Sequence, residues 1–303
     1  MKVLDLIIIG AGPAGITASI YAARKRMDFL VLTNDIGGQA ESSGVIENYT
    51  GYKFITGPEL VTRFKEHLVE FNVDVHEDEP VTSLKKTGNL VIVKTVNGEY
   101  HARSAIIATG RKPRELDAEG EAEFRHKGLT YCATCDAPLF ANVDIAVVGG
   151  GNSALDAVLQ SIKIARTIHL VHRRNEFRAD SILLEKARES DNVVFHTQSN
   201  VTRVYGNVFV EGIVISKDGE EEELPVRGVL VEVGSVPISG FVNCVDKNKY
   251  GDVAVNCKCE TSVPAIFAAG DVTDVFGKQI IVACGEGVKA TLSAFEYLSR
   301  SRD

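Results

Sequence analysis

Two segments of the chain follow one structural plan, and this duplication constrains the fold more than any other feature of the sequence. Residues 4–33 and 144–173 each contain a β-branched run, a glycine turn, an apolar-periodic segment of helix length and a second apolar run. This pattern predicts a strand, a turn, a helix and a strand. We therefore expect two βαβ units with parallel strands, and hence an α/β fold.

The residues that follow each βαβ unit also correspond. Residues 81–110 and 201–234 both have the pattern of antiparallel meanders, with tight turns expected at Asn97-Gly98 and Asp218-Gly219. The acidic run from Glu220 to Glu223 follows the second turn, and we interpret it as a solvated strand edge.

The two copies differ in length, and the chain continues after the second copy ends. Between its glycine turn and its meander, the first copy is about twenty residues longer than the second, and the additional segment is rich in Gly, Asn and Ser. Long insertions of this kind are more often functional than idle, so we expect this one to lie against a ligand. The residues after Gly234 form no third βαβ unit, and their apolar faces need a partner. We expect residues 1–112 and 236–303 to form one discontinuous domain, with residues 113–235 inserted into it.

The composition agrees with a globular protein and excludes some classes of partner. The 303 residues are 45% apolar and 24% charged, with a formal net charge of −8. An acidic chain has no general electrostatic attraction to nucleic acid or anionic lipid, so an anionic ligand needs a local group of Arg or Lys. The sequence shows no signal-peptide pattern and no apolar run of about eighteen residues. We expect a cytoplasmic protein with no membrane or nucleic-acid partner.

The glycine turn of the first βαβ unit has the sequence Gly10-Ala11-Gly12-Pro13-Ala14-Gly15, which fits the G-x-G-x-x-G fingerprint of dinucleotide-binding folds. The first glycine allows the turn, the second admits a pyrophosphate, and the third lets helix and strand approach. Backbone N–H groups at the start of the helix then hold the phosphates. Leu32, Thr33 and Asn34 end the second strand in place of the usual acid, so we expect ribose recognition to be arranged differently.

The second βαβ unit carries the G-x-G-x-x-A version of the fingerprint, from Gly149 to Ala154. His172, Arg173 and Arg174 stand after its second strand, and Arg178 follows one helical turn later. Guanidinium groups at this position suit the 2′-phosphate of NADP, whereas an acid would bind the ribose hydroxyl of NAD. The cluster predicts an NADPH site. A solvated arginine patch is the alternative, and His172 itself could be a surface residue.

Two dinucleotide folds in one chain predict two nucleotides that exchange electrons. With NADPH at the second site, FAD is the expected occupant of the first. Near the C-terminus, a buried strand followed by Gly270 and Asp271 would place a carboxylate beside the ribityl chain of FAD, or Asp271 could cap the next turn. We expect two Rossmann-like domains of the three-layer ββα type, with the NADPH domain inserted into a discontinuous FAD domain.

Cys132-Ala133-Thr134-Cys135 precedes the second βαβ unit and is followed by Asp136. A zinc site would need two more ligands, and Cys257-Lys258-Cys259 would be a poor chelating turn with no histidine nearby. A redox dithiol needs electrons, which the two nucleotide sites supply, and a proton, which Asp136 could supply if it is partly buried. We interpret the pair as an electron carrier. We expect the other cysteines to be small buried residues: Cys244, Cys257, Cys259 and Cys284.

Seven motifs occur in the order in which low-molecular-weight thioredoxin reductases have them: GAGPAG, GGQ, ENYTG, CATCD, GGGNSA, HRRNEFRA and AAGDV. The chain resembles this family along essentially its whole length. The resemblance implies a homodimer in which NADPH reduces FAD, FAD reduces the Cys132-Cys135 disulfide, and the dithiol reduces thioredoxin. It also implies that Cys135 faces the flavin, that Cys132 attacks the partner disulfide and that Asp136 is the acid-base group.

The resemblance further implies which residues contact the cofactors. The expected contacts to FAD are Gly10, Gly12, Pro13, Ala14, Gly15, Gly38, Gln39, Asn48, Ala108, Thr109, Gly110, Gly270, Asp271, Lys278, Gln279 and Ile280. The expected contacts to NADPH are Gly149, Gly151, Asn152, Ser153, His172, Arg173, Arg174 and Arg178. No metal is expected.

The sequence departs from the family pattern at a few positions. Ala137-Pro138 follows the dithiol in place of the usual glycine and aromatic residue. Lys278 and Ile280 flank Gln279 in place of arginine and alanine, and Glu232 stands at a strand position that is usually small and apolar. These departures bear on the flavin potential, on domain movement and on the partner rather than on the fold.

Other functions remain open at this point. A related flavin disulfide reductase could take electrons from ferredoxin, or pass them to a glutaredoxin-like or peroxiredoxin-linked protein. The intact arginine cluster favours NADPH as the donor, and we do not expect a fused peroxide-reductase flavoprotein, which would carry a further thioredoxin-like domain at its N-terminus. A non-enzymatic NADP(H) redox sensor is a third possibility, but a sensor needs neither a Cys-x-x-Cys motif nor a neighbouring acid.

Overall fold

The computed structural model describes residues 2–300 apart from residues 42, 44, 47 and 132, and for residues 45, 134 and 135 it describes the backbone alone. The chain forms two compact units. Unit 1 comprises Met1–Lys112 and Val236–Asp303, and unit 2 comprises Pro113–Ser235. Both units are built on parallel strands, which confirms the predicted α/β class with two Rossmann-like folds.

The elements follow one another along the chain in three groups. The first segment of unit 1 contains β1 (Val3–Ala11), α1 (Pro13–Arg24), β2 (Phe29–Ile36), β3 (Val45–Ile46), β4 (Ile55–Thr56), α2 (Gly57–Glu70), β5 (Val75–His76), β6 (Val81–Thr87), β7 (Leu90–Thr95) and β8 (Glu99–Ile107). After β9 (Arg111–Pro113), unit 2 contains α3 (Glu121–Phe124), β10 (Leu129–Thr130), α4 (Ala133–Asp136), β11 (Asp144–Gly149), α5 (Asn152–Ser161), β12 (Thr167–His172), α6 (Ser181–Arg188), β13 (Val193–Thr197), β14 (Asn200–Gly206), β15 (Val210–Lys217), β16 (Glu220–Leu224) and β17 (Gly228–Glu232). After β18 (Ser235–Pro237), the second segment of unit 1 contains β19 (Ile266–Ala268) and α7 (Ile280–Arg300).

The main sheet of unit 1 has the strand order β5-β2-β1-β8-β7-β6, with β19 also paired to β8. Strands β1, β2, β5, β8 and β19 run parallel, and β6, β7 and β8 form the predicted antiparallel meander. The chain leaves β1 through α1 toward β2 on one side, while β8 lies on the other. The carboxyl ends of β1 and β8 therefore form the switch point at which such sheets bind ligands.

Apolar side chains cover both faces of the unit 1 sheet. On one face, α1 and α7 pack small residues such as Ala18 and Ala290 against the strand residues Leu6 and Ile8, all of them buried. Small residues let the two helix backbones approach closely, and an added Cβ at Gly287 would lie 2.2 Å from the carbonyl oxygen of Ala14. The first segment of unit 1 thus provides the partner that the apolar helix α7 of the second segment required.

Unit 2 repeats the plan with a five-stranded sheet in the order β10-β17-β11-β12-β13 and a separate meander, β14-β15-β16. Strands β11, β12, β13, β17 and β10 run parallel. One face of the sheet packs against α5 and α6, and the other packs against the meander. Glu220 to Glu223 form the exposed outer strand β16, as predicted, and both residues of the turn before it, Asp218 and Gly219, have positive φ.

One expectation about the cysteines is wrong. Cys259 and Cys284 are buried and Cys244 is partly buried, but Cys257 is exposed. Cys257 and Cys259 flank one residue of an irregular turn, in which only the second cysteine enters the core beneath α7. In the part of the chain that the structure describes, none of the helices combines the length and apolar composition needed to cross a bilayer.

Candidate active site

The glycine turn of unit 1 lies at the switch point, and each glycine has a separate steric role. An added Cβ at Gly10 would lie 2.5 Å from the carbonyl oxygen of Ala108, and one at Gly15 would lie 1.8 Å from that of Gly10. Gly12, by contrast, has no atom of a described residue within 4 Å of an added Cβ. The backbone is therefore closed where helix and strand pack and open where a pyrophosphate would lie, which fits a bound dinucleotide.

The predicted residues of the additional segment lie close to this turn. The backbone of Gly38 packs against Gly12, since a Cβ added to Gly38 would lie 3.4 Å from the Cα of Gly12. Asn48 Nδ2 donates a hydrogen bond of 3.0 Å to Gln279 Oε1, so the segment contacts the residues before α7. Ile280 packs beside the small apolar cluster that contains Ile46. The structure thus brings the expected FAD residues of three separate chain segments together.

Gly270 and Asp271 complete the predicted set on the other side of the turn. An added Cβ at Gly270 would lie 2.9 Å from that of Ala14. Burial raises the pKa of Asp271, and the positive charges of Lys278 and Arg111 act in the opposite direction. Asp271 therefore stands as a partly buried acceptor beside the open turn, as its predicted role requires.

Arg111 and Glu286 were not among the predicted site residues, although both hold this region in place. Arg111 forms an ion pair with Asp252 and donates a 3.4 Å hydrogen bond to the carbonyl oxygen of Asp271. Glu286 is only 3% exposed, and its Oε2 accepts a 2.7 Å hydrogen bond from the Gly270 N–H. In the sequence, Glu286 is distinguished only as an acid within the apolar pattern of the last helix.

The glycine turn of unit 2 has the same division between closed and open positions. An added Cβ at Gly149 would lie 2.2 Å from the carbonyl oxygen of Glu232. In the part of the chain that the structure describes, no atom lies within 4 Å of an added Cβ at Gly151. Asn152 and Asp180 exchange two hydrogen bonds, of 2.8 and 2.9 Å, which fix the start of α5. Ser153 is exposed in the first turn of that helix. The open backbone around Gly151 again fits a dinucleotide phosphate.

The predicted arginine cluster surrounds His172. This histidine is 8% exposed, its ring stacks on Phe177, and an added Cβ at Gly150 would lie 2.2 Å from the ring. Its pKa is lowered mainly by burial, and the positive charges of Arg174, Arg173 and Arg178 act in the same direction. His172 is therefore a supporting residue beneath the glycine turn, which excludes the interpretation of a surface histidine.

The three guanidinium groups themselves face solvent. Arg173, Arg174 and Arg178 are exposed, and none of them forms an ion pair with a carboxylate in the described part of the chain. The backbone N–H of Arg178 donates a 2.7 Å hydrogen bond to the carbonyl oxygen of Gly150, which ties the cluster to the glycine turn. Three cations beside an open phosphate turn form a site suited to a second phosphate.

The cysteine pair lies partly outside the described residues. Cys132 is not described, and of Cys135 only the backbone is described, within the short helix α4. Asp136 ends α4 and is partly buried. Ala137 is buried in the 3-10 helix that follows, Pro138 is exposed, and both begin the turn that leads to β11. The structure therefore describes the backbone of the helix that contains Cys135 and the turn that follows it.

A matched pair of glycine variants tests the steric interpretation of the unit 1 turn. We expect Gly15→Ala to destabilise the protein by about 3 kcal/mol, because its methyl group would overlap the Gly10 carbonyl. We expect Gly12→Ala to fold normally, since its backbone is extended and open, but to lose bound flavin. Thermal unfolding and the flavin-to-protein absorbance ratio measure the two effects. A Gly12→Ala protein that keeps a full complement of bound flavin would show that the cofactor binds elsewhere.

Comparison with known proteins agrees with this arrangement. Residues 4–287 match the family model described as pyridine nucleotide-disulphide oxidoreductase. The chain is 37% identical over 301 residues to a component of the alkyl hydroperoxide reductase of Staphylococcus epidermidis, a match that covers 98% of this chain and 59% of that protein. The chain thus spans about three fifths of the length of such curated relatives.

Solved structures match over nearly their full length. Thioredoxin reductase from Lactococcus lactis superposes with a TM-score of 0.89 at 34% identity, covering 98% of this chain and 99% of that one. Thioredoxin reductase from T. acidophilum superposes with a TM-score of 0.87 at 31% identity and full coverage of both chains, 100% each. The predicted resemblance is confirmed by these matches. Fold, glycine turns and family model together show that the chain belongs to the pyridine nucleotide-disulphide oxidoreductases and is a flavoprotein oxidoreductase.

Proposed function

We propose that the chain is an NADPH-dependent enzyme that reduces thioredoxin through Cys132 and Cys135. The observation that carries this proposal is the exposed group of Arg173, Arg174 and Arg178, tied to the open turn at Gly151. The 2′-phosphate of NADP needs an anion site next to the turn that binds the pyrophosphate. NAD has no 2′-phosphate, so these arginines would have no phosphate to bind if NAD were the ligand. The cysteine pair belongs to the same unit of the chain.

The residues of unit 1 would hold FAD, and those of unit 2 would hold NADPH. When bound, the nicotinamide supplies a hydride and the flavin carries its two electrons to the disulfide. The chain's own contribution is placement: Gly12 and Gly151 leave room for phosphates, and Asp271 offers an acceptor for a ribityl hydroxyl.

The reductive step uses both cysteines and a proton-holding group. The Cys132 thiolate attacks one sulfur of the acceptor disulfide, which forms a mixed disulfide and releases the other acceptor sulfur as a thiolate. Cys135 then attacks the Cys132 sulfur, which releases the reduced acceptor and closes the Cys132-Cys135 disulfide. Asp136, partly buried at the end of α4, would hold the proton that the released thiolate takes up.

A peroxiredoxin is the second candidate acceptor. The curated relatives at 36 to 37% identity are named as components of alkyl hydroperoxide reductase, and this chain spans 59% of their length. We favour thioredoxin because solved thioredoxin reductases superpose on this chain with TM-scores of 0.89 and 0.87. Purified peroxiredoxin and thioredoxin should therefore be compared as acceptors at equal concentration.

Anaerobic titration of the purified protein with NADPH, and in parallel with NADH, tests the donor. We expect NADPH to bleach the flavin absorbance rapidly at stoichiometric amounts, and NADH to do so only at much higher concentration. Thioredoxin added afterwards should restore the oxidised spectrum faster than peroxiredoxin does. If dithionite bleaches the flavin but neither nucleotide does, the proposal fails at its donor end, and ferredoxin becomes the donor to test.

A further inference from the structure

Two histidines lie side by side on neighbouring strands of unit 2. His169 is in β12 and His196 is in β13, the edge strand of the sheet, and both are partly buried. The distance from His169 Nδ1 to His196 Nε2 is 3.0 Å, and the ring centroids are 5.2 Å apart. The two rings, here called the histidine pair, therefore form a direct N–H···N hydrogen bond between the strands.

The strand register places the histidine pair on the side of the sheet that faces the meander. His196 is opposite Val171, and His169 is opposite Val194. Val171 is buried in the apolar core between the sheet and the meander, whereas Val194 is exposed. The pair thus lies at the border of this core, where water solvates a charged ring less well than it does in free solution.

The residues after His196 hold the backbone of the arginine cluster. The backbone N–H of Gln198 donates a 3.2 Å hydrogen bond to the carbonyl oxygen of Arg174. The N–H of Ser199, a buried residue, donates a 3.1 Å hydrogen bond to the carbonyl oxygen of His172. The position of β13 beside β12 therefore determines where the main chain of Arg174 lies.

We propose that the histidine pair positions the arginine cluster in a pH-dependent manner. The pair holds β13 against β12 while it carries at most one positive charge, and it releases β13 when both rings are charged. The released strand no longer fixes the backbone of Arg174, so the cluster binds a phosphate more weakly. This last step rests on the proposed function, because it takes the arginines as the phosphate site, whereas the bond between the strands does not depend on it.

The proton balance of two imidazoles explains why only the second charge breaks the bond. A neutral imidazole has one N–H and one bare nitrogen, so two neutral rings form one N–H···N bond. One added proton makes this bond charge-assisted and stronger. After a second added proton no bare nitrogen remains, and two like charges repel across the 3.0 Å that separates the facing nitrogens. The two rings therefore titrate as a coupled pair.

The groups around the histidine pair favour its neutral form near pH 7. Burial lowers the pKa of His169, and the negative charges of Asp144 on β11 and Glu222 on β16 oppose this. Burial also lowers the pKa of His196, and the charge of His169 acts in the same direction. Glu222 opposes the lowering of the pKa of His196, and Lys217 on β15 adds to it. The bond should therefore be intact near pH 7 and lost in acid.

A double variant replaces both rings with side chains that do not titrate. His169→Asn places an amide near the position of Nδ1, and His196→Gln places one near the position of Nε2, so an amide hydrogen bond can take the place of the ring bond. His196→Ala instead removes the bond at every pH. His67→Gln, which replaces an exposed histidine of α2 in unit 1, is the matched control.

Thermal unfolding tests the bond between the strands without any nucleotide. The pKa values of both histidines lie below 6.5 in the folded protein, so acid favours the unfolded chain. The stability contributed by the neutral pair is present above about pH 6.5 and is lost as pH falls through the folded values. The Tm of the wild type minus that of the double variant should therefore decrease by about 2 to 4 °C between pH 8 and pH 5. The His67→Gln protein should follow the wild type.

Binding of adenosine 2′,5′-bisphosphate tests the connection to the arginines without nicotinamide or turnover. Isothermal titration calorimetry gives its Kd for the holoproteins at pH 8 and pH 5. The phosphate takes up a proton near pH 6, which weakens binding to every protein alike, so the ratio of two Kd values at one pH is the informative quantity. We expect the ratio of the wild type to the double variant to be about one at pH 8 and about three to ten at pH 5. His196→Ala should already bind about threefold to tenfold more weakly than the double variant at pH 8.

Three results would contradict the inference, each at a different step. A Tm difference that does not change with pH would show that the histidine pair does not titrate in this range. A Tm difference that decreases while the ratio of Kd values stays constant would show that the pair holds the strands but does not position the arginines. If no protein binds adenosine 2′,5′-bisphosphate at pH 8, the proposed NADPH site fails and the positioning role fails with it, while the Tm values still decide whether the pair holds β13.

Discussion

Cys132→Ser should abolish reduction of the acceptor disulfide, by at least about a thousandfold, while leaving reduction of the flavin by NADPH within about twofold of the wild type. The reason is that the two half-reactions use different atoms. In the proposed reaction, the hydride enters through the nucleotide sites, whose expected contacts do not include Cys132, whereas the electrons leave through a sulfur that serine lacks. Anaerobic stopped-flow absorbance measures the first half-reaction, and steady-state thioredoxin reduction measures the second.

Comparison with Cys135→Ser separates the roles of the two sulfurs. If Cys132 is the attacking thiol, the Cys135→Ser protein retains it and should accumulate a mixed disulfide with the acceptor, because the second attack that releases the product is missing. Cys132→Ser should form no such adduct. Non-reducing electrophoresis and intact mass spectrometry detect the adduct, and its appearance with thioredoxin or with peroxiredoxin identifies the preferred acceptor.

Cys257→Ser is the matched control for both variants, because it replaces an exposed cysteine of unit 1. It should have wild-type activity in both half-reactions. Thioredoxin reduction that persists in Cys132→Ser would show that the electrons leave by another route, and an adduct formed by Cys132→Ser instead of Cys135→Ser would exchange the two roles.

Much of the fold follows from local patterns in the sequence. The glycine turns predicted both βαβ units because glycine is needed where an added Cβ would overlap a carbonyl, as at Gly15 and Gly149. The arginines after β12 predicted an anion site because the ends of parallel strands lie at one edge of the sheet. These features depend on residues close together in the chain, so periodicity and spacing are sufficient to find them.

The residues that support the site depend on contacts between distant segments, which local patterns do not specify. Glu232 stood out in the sequence as a charged residue in an apolar strand, but its position opposite Gly149 follows from the pairing of β17 with β11. The ion pair of Arg111 with Asp252 has the same origin, since 141 positions separate its partners. Cys257 was expected to be buried because cysteine usually is, and the irregular turn that exposes it has no sequence signal of its own.

The arginine cluster consists of residues close together in the chain, so its role was predicted from the sequence alone. Replacing these arginines is the most direct test of which nucleotide donates the electrons. Replacing both Arg173 and Arg174 with glutamine should raise the KM for NADPH at least about a hundredfold, because each charge-assisted hydrogen bond to a phosphate contributes about 1.5 to 3 kcal/mol. The KM for NADH should change less than about threefold, since NADH has no 2′-phosphate. Steady-state flavin reduction with the two nucleotides measures both constants.

A spectroscopic measurement checks the cluster without any nucleotide. The charges of Arg173 and Arg174 lower the pKa of His172, so removing them should raise it, and histidine ring resonances followed by NMR report the change. Arg188→Gln, which replaces an exposed arginine at the end of α6, is the control and should leave both the nucleotide preference and His172 unchanged. A raised histidine pKa with an unchanged preference for NADPH would show that the arginines surround His172 as described but that the 2′-phosphate binds elsewhere. Loss of the preference together with the raised pKa would place the phosphate between these guanidinium groups.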